Sequence, residues 1–188
     1  MQIALFGGSF DPPHLAHQSI PRTMISEKIV DQVWYVPVKQ HPFKKPLSSD
    51  EHRLAMLKLL LSPDFPQICI EEYELHRPVV SYTIETLEFF AQKYPEDTFS
   101  WVIGSDNLEK FHLWGRYQEI LKKFSVFVYP RHGYPLTSLL PGMVPLTQLP
   151  EVEVSSTQVR QMVAKSEAVQ EFVIPAVAEY IQAHHLYQ

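Results

Sequence analysis

The stretch Gly7-Gly8-Ser9-Phe10-Asp11-Pro12-Pro13-His14-Leu15-Ala16-His17 collects two glycines, a hydroxyl and two imidazoles in one short segment. Paired glycines reach backbone angles closed to other residues and let a ligand come close to the main chain. The N–H groups at the start of a following helix have no internal partners and favour an anion. Positions three apart share a helix face, so His14 and His17 are expected side by side, next to Ser9. This is the chemistry of phosphate contact. The pattern is neither the dinucleotide fingerprint G-x-G-x-x-G nor the Gly-Lys-Ser/Thr pair of a P-loop. Two histidines also allow a metal reading, with Asp11 the one nearby candidate for a third ligand. For either histidine alone, a structural role is the plain alternative.

Two further clusters carry anion chemistry. Lys44, Lys45 and Arg53 put positive charge on a loop and on the helix behind it. Solubility explains such charge blandly; a long lysine reaching across to phosphates explains it more sharply. Ser155 and Ser156 can cap a helix that carries Thr157 in its first turn and Arg160 one turn on, which makes a second anion site or simply a well-capped helix. Three separate handles suit a polyphosphate better than a monophosphate. Trp114, Phe111, Tyr82 and Tyr117 lie near strand ends, where an indole could stack on a planar heterocycle. Asp106, two residues after Gly104, could accept hydrogen bonds from a ribose or an amino group. There is no nucleophile elbow and no C-x-x-C pair, and Cys69 reads as an inert core thiol.

The elements that must position these residues alternate between strand and helix. QIALFGG predicts a buried strand and a turn, followed by a helix from about His14 to Lys28 that Pro21 must kink or delay. DQVWYVPV, PQICIEEYEL, TFSWVIGSD and FSVFVYPR predict further strands, with a short last strand before Ser155. EHRLAMLKLLL, capped by Ser49 or Asp50, SYTIETLEFFAQKY and EKFHLWGRYQEILKK predict helices. Two or three closing helices follow, divided near Pro175. The reading is an α/β, Rossmann-like fold: a parallel sheet with helices on both faces, and a ligand beyond the carboxyl ends of the strands. Residues 1–188 are expected to form one domain with a helical portion from about 155 to 188.

Composition narrows the partners. Sixteen Lys and Arg against 21 Asp and Glu give a formal charge of -5, which argues against a nucleic-acid polymer but leaves room for a small anion in a local positive pocket. A single cysteine rules out an internal disulfide and fits a reducing compartment. No targeting run or membrane-spanning segment is visible, so a cytoplasmic protein that does not engage membranes is expected.

At this point the motifs resemble a known family. GGSFDPPHLAH is similar to the GxFDPxHxGH-type motif of the nucleotidyltransferase superfamily, and SSTQVR to its ISSTxxR companion. SYTIETL, WVIGSDNLEKFHLW and AVAEYIQAHHLY resemble the bacterial nicotinate-nucleotide adenylyltransferases, and the likeness runs from Gln2 to Tyr187. The resemblance implies adenylyl transfer from ATP to nicotinate mononucleotide, giving nicotinate adenine dinucleotide and pyrophosphate. It implies that Gly7, Gly8, Ser9, Phe10, His14, His17, Gly104, Asp106, Ser156, Thr157 and Arg160 bind ATP, with His17 on the α-phosphate. It implies that Ser9, Lys44 or its neighbour Lys45, Thr83, Trp114 and Arg131 serve the mononucleotide, and that His14, His17 and Lys44 are catalytic. No resident metal is implied; Mg2+ arrives with ATP, held by phosphate oxygens. The partners are small nucleotides, and the chain is expected to be a monomer or weak homo-oligomer. Ala16 replaces the usual glycine between the histidines, and Gln161 stands where a second basic residue often follows the motif arginine. The alternatives are a related enzyme acting on nicotinamide mononucleotide or phosphopantetheine, or a non-catalytic nucleotide-binding protein.

Overall fold

The computed structural model describes residues 1–39, 47–78 and 80–188. Six parallel strands form one sheet: β1 (Gln2–Gly8), β2 (Gln32–Pro37), β3 (Ile68–Ile70), β4 (Thr98–Gly104), β5 (Ser125–Tyr129) and β6 (Met143–Pro145). Their order is β3-β2-β1-β4-β5-β6, so the chain reverses direction across the sheet between β1 and β4. The crevice at the carboxyl ends of those two neighbours is where an open α/β sheet receives a ligand. β1 lies between β2 and β4, with Leu5 opposite both Trp34 and Trp101, so its final glycines emerge at the middle of the sheet.

Alternating side chains divide the core. Ala4 and Phe6 face α1 (Leu15–Ser26), α5 (Ser156–Ala164) and α6 (Pro175–Ala183), together with Met56 and Leu57 of α2 (Asp50–Lys58). Ile3 and Leu5 face the other way, toward Ile84, Leu87 and Phe90 of α3 (Thr83–Lys93) and Ile120 of α4 (Tyr117–Lys123). Both faces of β1 are therefore dry, which explains its unbroken apolar run.

Several local expectations are corrected. Pro21 sits inside α1 rather than delaying it. A proline there has no N–H for the carbonyl of His17, and the Tyr35 hydroxyl fills that role, donating to it at 2.6 Å. The helix expected over 109–123 is broken. A 3-10 helix runs Ser105–Leu113, and α4 begins only after Arg116, whose φ of 55° is left-handed. A Cβ on Gly115 would lie 2.9 Å from Tyr82, so the break lets this segment close on the start of α3. There are two closing helices, and Pro175 opens the second at a position where its missing N–H costs nothing.

Candidate active site

The glycines at the end of β1 are required for room rather than for unusual backbone angles, contrary to the sequence expectation. Both lie within the strand, and neither has a positive φ. A Cβ on Gly7 would sit 2.1 Å from Cζ2 of Trp101, and one on Gly8 would press on the Phe10 ring at 3.1 Å. The left-handed residue is Phe10, with φ 49° and its ring buried. A bulky side chain rarely adopts that conformation, so the surrounding packing must hold it.

His14 is the N-cap of α1 and His17 its third residue, so only the second imidazole is on the helix proper. The rings nevertheless stack, with centroids 3.7 Å apart. The backbone N–H of His14 donates to Nδ1 of His17 at 3.1 Å. A neutral imidazole that accepts at Nδ1 carries its proton on Nε2, so His17 offers an Nε2–H donor. Phe10 meets the His17 ring edge-on at 4.9 Å, and Phe6 lies 5.6 Å away. Burial holds the pKa of His17 down at about 3, helped by the nearby Arg131 cation. Burial also holds His14 well below the ordinary range, with His17 and Arg131 adding to the effect. Both imidazoles are neutral donors at pH 7, and the positive charge comes from elsewhere.

That charge is on Arg131 and Arg160. Arg131 donates to the Val154 carbonyl at 3.0 Å and pairs with Asp106 at 3.4 Å. Arg160 donates to the Asp11 carbonyl and, at 3.2 Å, to the Thr157 hydroxyl. Ser155 is the cap of α5, accepting from the Gln158 N–H, whereas Ser156 ties the helix start to the Pro12 carbonyl at 2.9 Å. Asp11, the candidate third metal ligand, is engaged otherwise: Tyr187 donates to one oxygen at 2.6 Å and the Ser48 N–H to the other at 3.1 Å. Among the described residues no group of three or more His, Cys, Asp and Glu is arranged to hold a metal ion. Arg53 is a structural clamp rather than a phosphate handle. It is fully buried and donates to the carbonyls of Ser9, Val38 and Ser48 and to Asp50. Burial pushes the Cys69 thiol up to about 12, in keeping with an unreactive role. Lys44 and Lys45 lie outside the described residues.

These side chains enclose two adjoining cavities. The larger, of about 290 Å³, is aromatic: Trp101, Tyr129, Tyr82 and Trp114 line it with Gly7, Gly8, Thr83 and Gly104. The smaller, of about 200 Å³, is polar and is lined by Phe10, His14, Asp106, Arg131, Ser156, Thr157 and Arg160. Ser9 and His17 belong to both. Every residue that the resemblance assigns to the nucleotides within the described part therefore lines one cavity or the other, whereas Arg53 and the aromatic candidates Phe111 and Tyr117 line neither. Arg131 opens onto the polar cavity and Gly104 onto the aromatic one. The sequence reading missed Glu74, Ser81, Trp101 and Tyr129 in the aromatic wall. Trp101 and Tyr129 sit in uniformly apolar strands and look like core, while Glu74 lies in a turn without a motif. Ser81 opens the segment SYTIETL, but no role was read for it there.

Comparison with known proteins agrees with this geometry. A family model described as "Cytidylyltransferase-like" matches residues 5–162. A Bacteroides thetaiotaomicron protein named "Probable nicotinate-nucleotide adenylyltransferase" is 34% identical, over 98% of this chain and 92% of its own. A Flavobacterium johnsoniae protein of the same name is 34% identical over the whole of both chains. The solved structure of Plasmodium falciparum nicotinic acid mononucleotide adenylyltransferase complexed with NaAD superposes with a TM-score of 0.88, covering 99% of this chain and 97% of that one. At 20% identity, that likeness speaks for the fold alone. Matched from end to end by such relatives, and with both signature motifs meeting at one crevice, the chain belongs to the nicotinate-nucleotide adenylyltransferase family of cytidylyltransferase-like proteins.

Proposed function

We infer that this chain transfers the adenylyl group of ATP to nicotinate mononucleotide, forming nicotinate adenine dinucleotide and pyrophosphate, a step of NAD biosynthesis. The observation that carries the reading is the shared wall: an aromatic cavity and a polar, arginine-lined cavity meet at Ser9 and His17. A planar ring stacks in the first against Trp114, and the triphosphate rests in the second against Arg131, Arg160, Thr157 and the start of α5. The two phosphates that must react then meet at His17.

The mononucleotide phosphate is ionised near neutral pH and needs no strong base. One of its oxygens attacks the α-phosphorus of ATP in line, and the bond to the bridging oxygen of pyrophosphate breaks. The barrier lies in bringing anions together and aligning them, so catalysis is positioning and charge stabilisation. The Nε2–H of His17 donates to an α-phosphate oxygen, where negative charge gathers as the fifth bond forms. His14 holds the same group of oxygens, and its backbone N–H fixes the tautomer of its neighbour. Mg2+ enters with ATP, bound mainly by phosphate oxygens. Lys44 or Lys45 supplies further charge at the phosphates.

Pyrophosphate release should be measured with ATP and, in turn, nicotinate mononucleotide, nicotinamide mononucleotide and phosphopantetheine. The acid mononucleotide is expected to give the highest kcat/KM. A preference for either other acceptor overturns the substrate assignment. ATP binding without release in the presence of any of the three makes the chain a nucleotide sensor instead.

A further inference from the structure

Two polar groups in the aromatic cavity have no part in the scheme above. Glu74 follows β3 and is 5% exposed; Ser81 precedes Tyr82, the N-cap of α3, and is 4% exposed. Both line the cavity together with Tyr82 and Thr83. The Thr86 hydroxyl donates to Oε1 of Glu74 at 2.6 Å, which anchors the carboxyl beside the first turn of α3. Ser81 Oγ is buried with no hydrogen-bond partner among the described residues. A buried hydroxyl in that state is available to a partner such as a ligand or an ordered water. The first N–H groups of α3, which helix geometry leaves without internal partners, belong to the same end of the cavity.

We propose that Glu74 and Ser81 read the ring substituent of the acceptor, Glu74 entering as the neutral acid that donates a hydrogen bond to an anionic carboxylate and Ser81 adding a second donor. The inference rests on the nicotinate mononucleotide reading of the aromatic cavity. A second carboxylate within hydrogen-bond reach of a buried one disfavours ionisation of both, so the pair shares one proton. Burial already pushes the Glu74 carboxyl up to about 7, against the pull of Thr86 and Arg77. The charges packed around it are Arg77 and Glu85, which pair with each other at 2.8 Å. The other titratable groups facing the cavity are His17, Tyr82 and Tyr129. Among the described residues that line the cavity, Glu74 is the carboxyl. Binding the acid above pH 7 takes a proton from solvent, whereas a neutral amide substituent needs none.

Calorimetry at pH 8 in two buffers of different ionisation enthalpy reads this proton. Nicotinate mononucleotide should take up close to one proton more than nicotinamide mononucleotide, since the phosphate is common to both. Glu74→Gln keeps the contact with Thr86 and retains a donor, and should abolish that difference. In the wild type the KM for the acid mononucleotide should rise about fivefold from pH 7 to pH 8 relative to Glu74→Gln, with kcat following one profile in both. Ser81→Ala should raise the acceptor KM and leave that for ATP alone. Equal proton uptake for the two acceptors in the wild type overturns the proposal without any variant. Coincident KM profiles for wild type and Glu74→Gln overturn it too. In either case the acid mononucleotide still supports pyrophosphate release. If the wild type releases pyrophosphate with neither mononucleotide, the proposed function itself fails.

Discussion

His17→Asn separates the chemistry of the imidazole from its architecture. Nδ1 of His17 accepts the His14 backbone N–H at 3.1 Å, and an asparagine carbonyl can stand at nearly the same point and keep that bond. What vanishes is the Nε2–H, the donor offered at the wall common to both cavities. One positioned donor to developing charge is worth about 2.7–4 kcal/mol, or roughly a hundredfold to a thousandfold in kcat. The lost edge contacts with Phe10 and Phe6 should cost stability on the order of only 1 kcal/mol. His17→Gln is the converse: it places an amide N–H near the old Nε2 but gives up the bond at Nδ1. The assay is the initial rate of pyrophosphate release at saturating ATP and nicotinate mononucleotide, with urea unfolding in parallel. Expected are a loss of at least a hundredfold for His17→Asn with a near-normal unfolding midpoint, and partial recovery for His17→Gln. A His17→Asn turnover within tenfold of wild type would refute the assignment of the α-phosphate donor.

The stacked histidines also set a pH dependence of stability in the ligand-free protein. Folded His17 holds its pKa at about 3 and His14 is well below 6.5, whereas the unfolded chain protonates both near 6.5. The unfolded state thus binds more protons below that pH. Stability is complete above about pH 6.5 and falls below it: the His17 contribution is lost at about 1.4 kcal/mol per pH unit down to about pH 3, and His14 adds a loss in the same direction. Urea unfolding between pH 7.5 and 5 should show a slope that flattens in His14→Asn and His17→Asn; an unchanged slope would contradict the argument. Gly7→Ala should destabilise the fold by about 1–3 kcal/mol, because its Cβ falls 2.1 Å from Trp101 inside a sheet that cannot move away. Trp101→Phe should recover part of that loss in the same unfolding assay, and no recovery would mean that the strain lies elsewhere.

Strand and helix alternation was legible because the strands of a doubly covered parallel sheet are nearly pure apolar runs, and β1, β2, β4 and β5 all read that way. The lining of the polar cavity was legible too, since His14, His17, Thr157 and Arg160 sit in local motifs whose spacing reflects helix starts. Reasons were harder to read than positions. Gly7 looked like a conformational device, yet its lack of a Cβ answers to Trp101 across the sheet, a contact with no trace in the local pattern. Arg53 looked like part of a positive cluster because its carbonyl partners on Ser9 and Val38 are brought to it by other elements. The aromatic cavity was the least legible part. Glu74 and Ser81 gain meaning only once β3 and α3 close around one space, and neither belongs to a repeating pattern.

The bond from Tyr187 to Asp11 spans 176 residues of sequence. During synthesis the first loop is made early, but its carboxylate has to wait for 176 further residues before that hydroxyl leaves the ribosome. Until then the turn that presents His14 is short of one of its fastenings. A ribosome-bound chain would hold the sheet long before that turn was fully fastened, so competence to use ATP should appear late and abruptly rather than growing with length.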